Sequence, residues 1–463
     1  MRSYEYCFRE ALPDVSIEGT LSEDSLFSID SRTVKNHEIF VALKGERCDG
    51  HQFVKDALER GAVGALVARD KKDACLQHIS NDLLRTKVII TVSDPLQALI
   101  AFATCWREQF SYPVIGVTGS VGKTSAKETI AKMFAHAGRS YIASYGNQNT
   151  QIGLALNLLR MRDHHEVAVF ELGINRRGEM AQLARMAKPT IGIITTIGHC
   201  HMEGLGSLQD IAFEKRDIFK YFTERNIGIV DGDQPLLSAI SYPHPVIKVG
   251  YKTTNHIQAR KVRFVDTDTH CIMKIYKDKY EVVLANPHVG TIHRSLVAAA
   301  VGHILLIPRE HIISAIQEPI IVASRFERRM LSIGNGMVID DCYNANPESM
   351  KAALAAFQEI QTTACKVAVL GDMLELGVNS PFWHRQIGRF LRKVTSLKKL
   401  ILVGNMVRCI ESTVPLGIEM ICVATWQEAL KQLPAVIGDR EVMMLVKGSR
   451  GVGLSNLVAH CTK

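Results

Sequence analysis

The 463-residue sequence lacks the marks of several protein classes. No run of five like charges occurs, so it has no dedicated arm for nucleic acid or an anionic membrane surface. Its longest apolar stretch, residues 295–308, is interrupted by His303 and falls well short of the about 20 residues a bilayer span needs. Its eleven cysteines are odd in number and contain no C-x-x-C. The opening MRSYEYCFRE has no apolar signal core, so the thiols are expected to be reduced and the protein soluble and cytoplasmic. Internal repeats and low-complexity tracts are also missing.

What remains is an ordinary globular composition, 47% apolar and 22% charged. Lys and Arg number 55 against 47 Asp and Glu, a dispersed net charge of +8 that suits a polyanionic small substrate. At roughly 150 residues per domain, the length predicts three domains.

From Val114 onward short β-branched runs alternate with helical patterns. VIGVT (114–118), VAVFE (167–171), TIGIITTI (190–197) and NIGIV (226–230) read as strands. Residues 125–137 and 178–187 read as helices between them. This alternation predicts a doubly wound parallel sheet covered on both faces. Residues 257–285, with HCIMKIY and KYEVVLA, predict an appended antiparallel segment. After Pro319 the rhythm resumes through MVID, KVAVLG, KLILVG, EMICVA and EVMMLV, a second, Rossmann-like αβ domain. Before residue 94 the pattern is mixed, with FVAL (40–43) and GALVA (64–68) as strands. The expected domains are 1–93, 94–317 and 318–463.

The first chemical signal is Gly116-Val-Thr118-Gly119-Ser120-Val121-Gly122-Lys123-Thr124-Ser125. It follows a buried strand and opens a helix, the setting in which backbone N–H groups and a helix N-terminus cradle phosphates. Lys123 would reach the β/γ-phosphates and the Thr124 hydroxyl would ligate Mg²⁺. The match to G-x-x-x-x-G-K-[ST] has Val117 at the first glycine position. A nucleoside triphosphate site is expected, without a named reaction.

Glu171 ends a strand where carboxylates face the ligand crevice of an open sheet. Gly198-His199-Cys200-His201 follows the next strand; with Cys48 and His51 it invites a zinc reading, but the paired ligand sets of a structural zinc site are missing. Lys215, beside Glu214, Arg216 and Asp217 in a helical stretch, reads on its own as a solvated surface lysine.

Taken together, these motifs resemble the Mur ligases of peptidoglycan precursor synthesis. The resemblance rests on Asp30-Ser31-Arg32-Thr33, IFVALKGERCDGHQF (39–53), TGSVGKTS (118–125), GNQNTQIG (146–153) and ELGINRRGEM (171–180). HMEGLGS (201–207), VIDDCYNANPESM (338–350), VLGDMLELG (369–377) and VKGSRG (446–451) complete the series. It implies a UDP-sugar-binding N-terminal domain, a central ATPase domain and a C-terminal domain that recruits the amine. The implied reaction joins D-alanyl-D-alanine to UDP-N-acetylmuramoyl-tripeptide (UDP-MurNAc-tripeptide), using ATP and passing through an acyl phosphate. The protein would act as a monomer, with no nucleic acid and no membrane insertion.

By motif, the resemblance makes Glu171, His201 and Lys215 Mg²⁺ ligands beside Thr124, with Lys215 carbamylated. Lys123, His201 and Lys215 become catalytic. Residues 118–124 with Arg325 and Asp341 would contact ATP, while Ser31, Arg32, Asn147 and Asn149 would contact the UDP-linked substrate. Departures from the family pattern are Asn36-His37, Thr150 and Ser324, where Pro-Gly, Asn and Gly are usual. PHVGTIHRSL (287–296) lacks the family's H-N-x-x-N, so no adenine-side residue is assigned. Sister Mur ligases and folylpolyglutamate synthetase-like enzymes share this chemistry and differ in the amine. A non-catalytic nucleotide-gated module would share the scaffold but have no use for the second metal site.

Overall fold

The computed structural model describes residues 2–46 and 48–462; Arg47, inside the 39–53 motif, lies outside them. The chain forms two compact units. One comprises residues 1–116, 139–174 and 180–191; the other comprises 117–138, 175–179 and 192–463.

In the first unit a five-stranded sheet is built from β1 (Ser16–Glu18), β2 (Leu26–Ser28), β3 (Glu38–Val41), β4 (Gly64–Ala68) and β5 (Val88–Val92), in the order β1-β5-β4-β3-β2. Only β1 is antiparallel, pairing Ile17 with Ile90. Helix α1 (Pro95–Arg107) starts on Asp94, whose carboxylate accepts from the Leu96 and Gln97 N–H groups. Its inner face packs Phe102 and Trp106 against Tyr4, with the Tyr4 and Trp106 ring centroids 4.3 Å apart. Buried Arg107 is satisfied by the carbonyls of Ala187, Phe110 and Lys188 at 2.7–3.0 Å. An unpaired guanidinium there would be costly.

The same unit holds the start of β6 (Val114–Thr118), together with β7 (Tyr141–Ala143) and β8 (Val167–Glu171), in the order β6-β8-β7. β8 is buried along its whole length, as a strand covered on both faces must be.

In the second unit the rest of β6 borders β9 (Ile191–Ile194), followed outward by β10 (Ile227–Asp231), β11 (Val246–Gly250), β12 (Ile257–Val265), β13 (Asp268–Ile275) and β14 (Asp278–Ala285). β10, β11 and β12 run parallel; β12, β13 and β14 run antiparallel, as the alternating 257–285 pattern predicts. A six-stranded sheet follows, from β15 (Glu327–Met330), β16 (Asn335–Asp340), β17 (Cys365–Gly371), β18 (Leu397–Val403), β19 (Glu419–Val423) and β20 (Glu441–Lys447), in the order β15-β16-β20-β17-β18-β19. It is parallel except for β15.

The helices that matter for the site are α2 (Lys123–His136), α3 (Leu208–Arg216), α4 (Val289–Ile304), α5 (Pro347–Glu359), α6 (Ser380–Phe390), α7 (Trp426–Ile437) and α8 (Leu454–Cys461). Leu354, Phe357 and Ile387 of α5 and α6 cover one face of the six-stranded sheet; Leu433, Leu457 and Val458 of α7 and α8 cover the other. Loops leaving the carboxyl ends of β17 and β20 therefore diverge, which is where such sheets gather ligands. Among the described residues no helix is long and apolar enough to cross a membrane.

Candidate active site

Three segments of the second unit meet around the phosphate loop. Gly119 and Gly122 take φ values of +146° and +88°, which only glycine adopts without strain. A Cβ on Gly119 would stand 1.9 Å from the Thr195 hydroxyl, so close packing also requires its absence. The Ser120 N–H donates to the Thr196 carbonyl at 2.7 Å, and the Ser120 hydroxyl exchanges 2.9 Å hydrogen bonds with the Gly198 backbone. The loop is thus held from the carboxyl end of β9, leaving α2 to begin at Lys123. Lys123 Nζ donates to its own loop at Gly119 O, 2.8 Å away.

Around this loop a cavity of about 180 Å³ is lined by Ser120, Val121, Gly122, Lys123, Cys200 and His201 from one side. From the other side come Arg325, Asp341, Tyr343, Asn344 and Lys447, and α4 with the segment before it adds Asn286, His288, Thr291 and Arg294. Arg325 Nη2 donates to the Thr124 hydroxyl at 3.1 Å, and its guanidinium lies 4.1 Å from the Tyr343 ring centre. Its Nε is buried without a partner, as is Thr118 Oγ1. Such orphans are rare in a finished site and are readily satisfied by a ligand. Ser324 and Phe326 flank Arg325 at φ +56° and +55°.

Lys447, the last residue of β20, is buried; it pairs with Asp341 at 2.7 Å and donates to Asn344 O at 3.1 Å. Burial pushes His288 down to about 4, opposed by Asp341 and aided by Lys447 and Arg294. His288 is therefore neutral at pH 7, able to accept as well as donate. Burial likewise lowers Arg294, to about 10; its Nη1 donates to Thr129 at 2.8 Å. The cavity is rich in fixed cations and backbone donors, the equipment for holding a polyphosphate.

Lys215 overturns its surface reading. It is 1% exposed, on the inner side of α3. Burial, and then nearby Lys123, lower its pKa to about 8, against the opposing influence of Cys200 and Glu214. The charges beside it in sequence conceal this, because burial is set by how α3 docks. His201 has φ +52° and its Nδ1 contacts the Glu375 carboxylate, which that contact holds below the usual range.

The remaining expected residues belong to the first unit. Glu171 is 2% exposed at the end of β8; its Oε1 accepts from Asn149 Nδ2 at 2.8 Å. A Cβ on Gly173 would stand 2.7 Å from the Asn149 side chain, so this pair is tightly packed. Asn147 is exposed, and Thr150 caps the helix Gln151–Leu158 through its hydroxyl. Ser31 is half-buried; Arg32 is exposed and pairs with Asp30 at 2.7 Å, which holds Asp30 down to about 2.

Sequence reasoning missed Asn286, His288, Thr291, Arg294 and Lys447. Lys447 carried a usable signal, a charged residue closing the apolar strand EVMML; His288, Thr291 and Arg294 lie in the segment that departs from the family pattern, and Asn286 directly precedes it.

Residues 25–104 match the Mur ligase family catalytic domain, 117–302 the Mur ligase middle domain and 324–450 the Mur ligase glutamate ligase domain. The UDP-N-acetylmuramoyl-tripeptide--D-alanyl-D-alanine ligase of Bacillus subtilis is 32% identical over 93% of this chain and 91% of its own length. The chain belongs to the Mur ligase family. As a Mur ligase it is an ATP-dependent amide-forming enzyme. Its fold is similar to a crystal structure of MurF from Acinetobacter baumannii, with a TM-score of 0.84 at 25% identity, covering 98% of this chain and 97% of that one. A MurF from Thermotoga maritima, solved in complex with ADP, gives 0.78 at 25% identity over 94% and 97%.

Proposed function

We propose that this Mur ligase joins D-alanyl-D-alanine to UDP-MurNAc-tripeptide, with ATP cleaved to ADP and phosphate by way of an acyl phosphate. The observation that carries the reading is the single cavity in which Lys123 of the phosphate loop faces Arg325, Asp341 and Lys447 from the six-stranded sheet. That arrangement sets a triphosphate against a second wall able to bring an amine. Relatives that carry this activity by name match over nine-tenths of the chain.

A free carboxylate is a poor acyl donor, so it must first be activated. The terminal carboxylate of the tripeptide attacks the γ-phosphorus of ATP, ADP leaves, and an acyl phosphate forms. The amine of D-alanyl-D-alanine then attacks the acyl carbon, and the tetrahedral intermediate expels phosphate. The first step crowds negative charge, so cations and oriented donors contribute most. Lys123 leaves its loop carbonyl to meet the β/γ-phosphates, the loop N–H groups hold their oxygens, and Arg325 and Asp341 contact the nucleotide from the far wall. Neutral His288, with Asn286, Thr291 and Arg294, takes the nucleoside side where the usual motif is missing. Enclosure keeps water from the acyl phosphate.

By the family resemblance and by donor chemistry alone, the Thr124 hydroxyl and Glu171 carboxylate would offer Mg²⁺ hard oxygens and His201 an imidazole. An ammonium cannot ligate a cation, so Lys215 joins this set only as a carbamate. Its lowered pKa supports that change, because the neutral amine attacks CO₂, forming an N–C bond and releasing one proton. Bound there, Mg²⁺ would neutralise phosphate charge.

Residues 1–93 would bind the UDP end through Ser31 and Arg32, residues 94–317 would bind ATP, and 318–463 would recruit the dipeptide. Asn147 and Asn149 would contact the tripeptide substrate. The enzyme works as a cytoplasmic monomer. The test is phosphate release with ATP, Mg²⁺, UDP-MurNAc-tripeptide and a panel of amines. Release only with D-alanyl-D-alanine supports the reading; release with a single amino acid or glutamate instead overturns it.

A further inference from the structure

The loop after β9 carries a second histidine that the phosphate chemistry does not use. The His199 backbone N–H donates to Glu348 Oε2 at 2.9 Å, and its Nδ1 lies 2.6 Å from Glu348 Oε1. One residue thus engages both oxygens of the carboxylate. The His199 ring also packs on Trp383 of α6, with centroids 3.9 Å apart. A Cβ on Gly198 would stand 2.7 Å from Glu348 Oε2, so the contact depends on a glycine.

The position of this clasp matters more than its strength. Glu348 sits in the first turn of α5, where a carboxylate also complements the helix dipole. Its neighbours Asn344, Ala345, Asn346 and Ser349 line the cavity from the six-stranded sheet. The residues after His199, Cys200 and His201, line it from the loop that follows β9. One carboxylate therefore bridges the two walls of the cavity. Glu375 makes a parallel contact with His201.

We propose that Glu348 is a positioning residue that, by gripping His199, fixes the amine-delivering wall of the cavity against the wall where the acyl phosphate forms. The proposal rests on the ligase reading above. Acyl phosphate formation draws mainly on the phosphate loop, whereas amine attack needs both walls in register. A displacement of about 1 Å between reacting groups costs on the order of a hundredfold in rate.

The test compares Glu348→Ala, His199→Ala, their double variant and Glu348→Gln in the full chain with ATP, Mg²⁺, UDP-MurNAc-tripeptide and D-alanyl-D-alanine. Glu348→Ala is expected to lower ligation kcat roughly tenfold to a hundredfold. ADP affinity should hold within about threefold, and single-turnover ADP formation without the amine should stay near normal. His199→Ala keeps the backbone N–H contact and should lose less than Glu348→Ala, and the double variant should exceed Glu348→Ala only by what the lost Trp383 packing contributes. Glu348→Gln should recover most of the rate, since its amide oxygen accepts the backbone N–H and its amide N–H can donate to the ring. Normal ligation by Glu348→Ala overturns the proposal. So does an equal loss of ADP affinity, ADP formation and thermal stability that Gln does not rescue, which would mark a structural role. If the unmodified chain releases no phosphate in response to the amine, the ligase reading falls and this proposal falls with it.

Discussion

At the residue scale, Lys123 and Lys215 are opposite cases. Lys123 rests on a backbone carbonyl of its own loop, a contact it can exchange for phosphate oxygens. Lys123→Ala should therefore abolish amine-dependent phosphate release by several orders of magnitude while binding of UDP-MurNAc-tripeptide, followed by calorimetry, survives. Lys215 bears the cost of burial. Its fall from 10.5 to about 8 corresponds to about 3 kcal/mol against the charged form. The folded state disfavours the proton, so this penalty is full below the folded pKa and fades as pH rises from about 8 toward 10.5. In CO₂-free buffer, where the amine stays free, Lys215→Met should thus be more stable than the unmodified chain at pH 7 in urea unfolding, with the gap closing toward pH 10.5. It should also be inactive. Lys215→Ala should regain part of its activity with added short carboxylates, which can replace the carbamate anion; full activity without them would show that no carbamate is used.

At the element scale, the turn into β15 sets Arg325. Ser324 holds φ +56° while its hydroxyl donates to buried Asp340 at 2.9 Å. Left-handed backbone costs about 1 kcal/mol, and a hydrogen bond to a charged partner contributes about 2 kcal/mol. Ser324→Ala keeps the strain and loses the bond, so it should destabilise by about 2 kcal/mol; Ser324→Gly loses both and should cost about 1 kcal/mol. Urea midpoints in the order Ser, Gly, Ala check this, and Ala above Gly would contradict it.

Elements differ in how much of them the sequence reveals. β4, β6 and β8 are buried on both faces, so GALVA, VIGVT and VAVFE show as unbroken apolar runs with the observed bounds. β1, β2 and β7 have three residues each, too few for any period to register. Helix α2 begins at Lys123 rather than 125 because left-handed Gly122 takes the cap position, where no side-chain cap can signal the start. The phosphate loop was legible because its chemistry is local, whereas Arg325 and Asp341 were named only through the family resemblance. The burial of Lys215 and the grip of Glu348 on His199 were not legible, because they arise from packing between segments far apart in sequence.

At the scale of the whole molecule, the proposed nucleotide pocket is shared between the loop after β6 and the sheet that begins at β15. A ligand binding there should stabilise both together. ADP at a hundred times its Kd should add about 2.7 kcal/mol to unfolding of the unmodified chain. At that same ADP concentration Arg325→Ala should gain clearly less, because it lacks the contact proposed for the nucleotide. An equal gain in differential scanning would remove Arg325 from the nucleotide site.

The two left-handed residues on either side of Arg325 also limit how this chain can be edited. They determine the direction in which the guanidinium leaves the backbone, so a one-residue insertion between Ser324 and Arg325 would swing it away from Thr124 although every side chain is retained. Library designs that vary the length of this turn should therefore yield folded but silent clones, whereas those that vary only its side chains should yield graded ones.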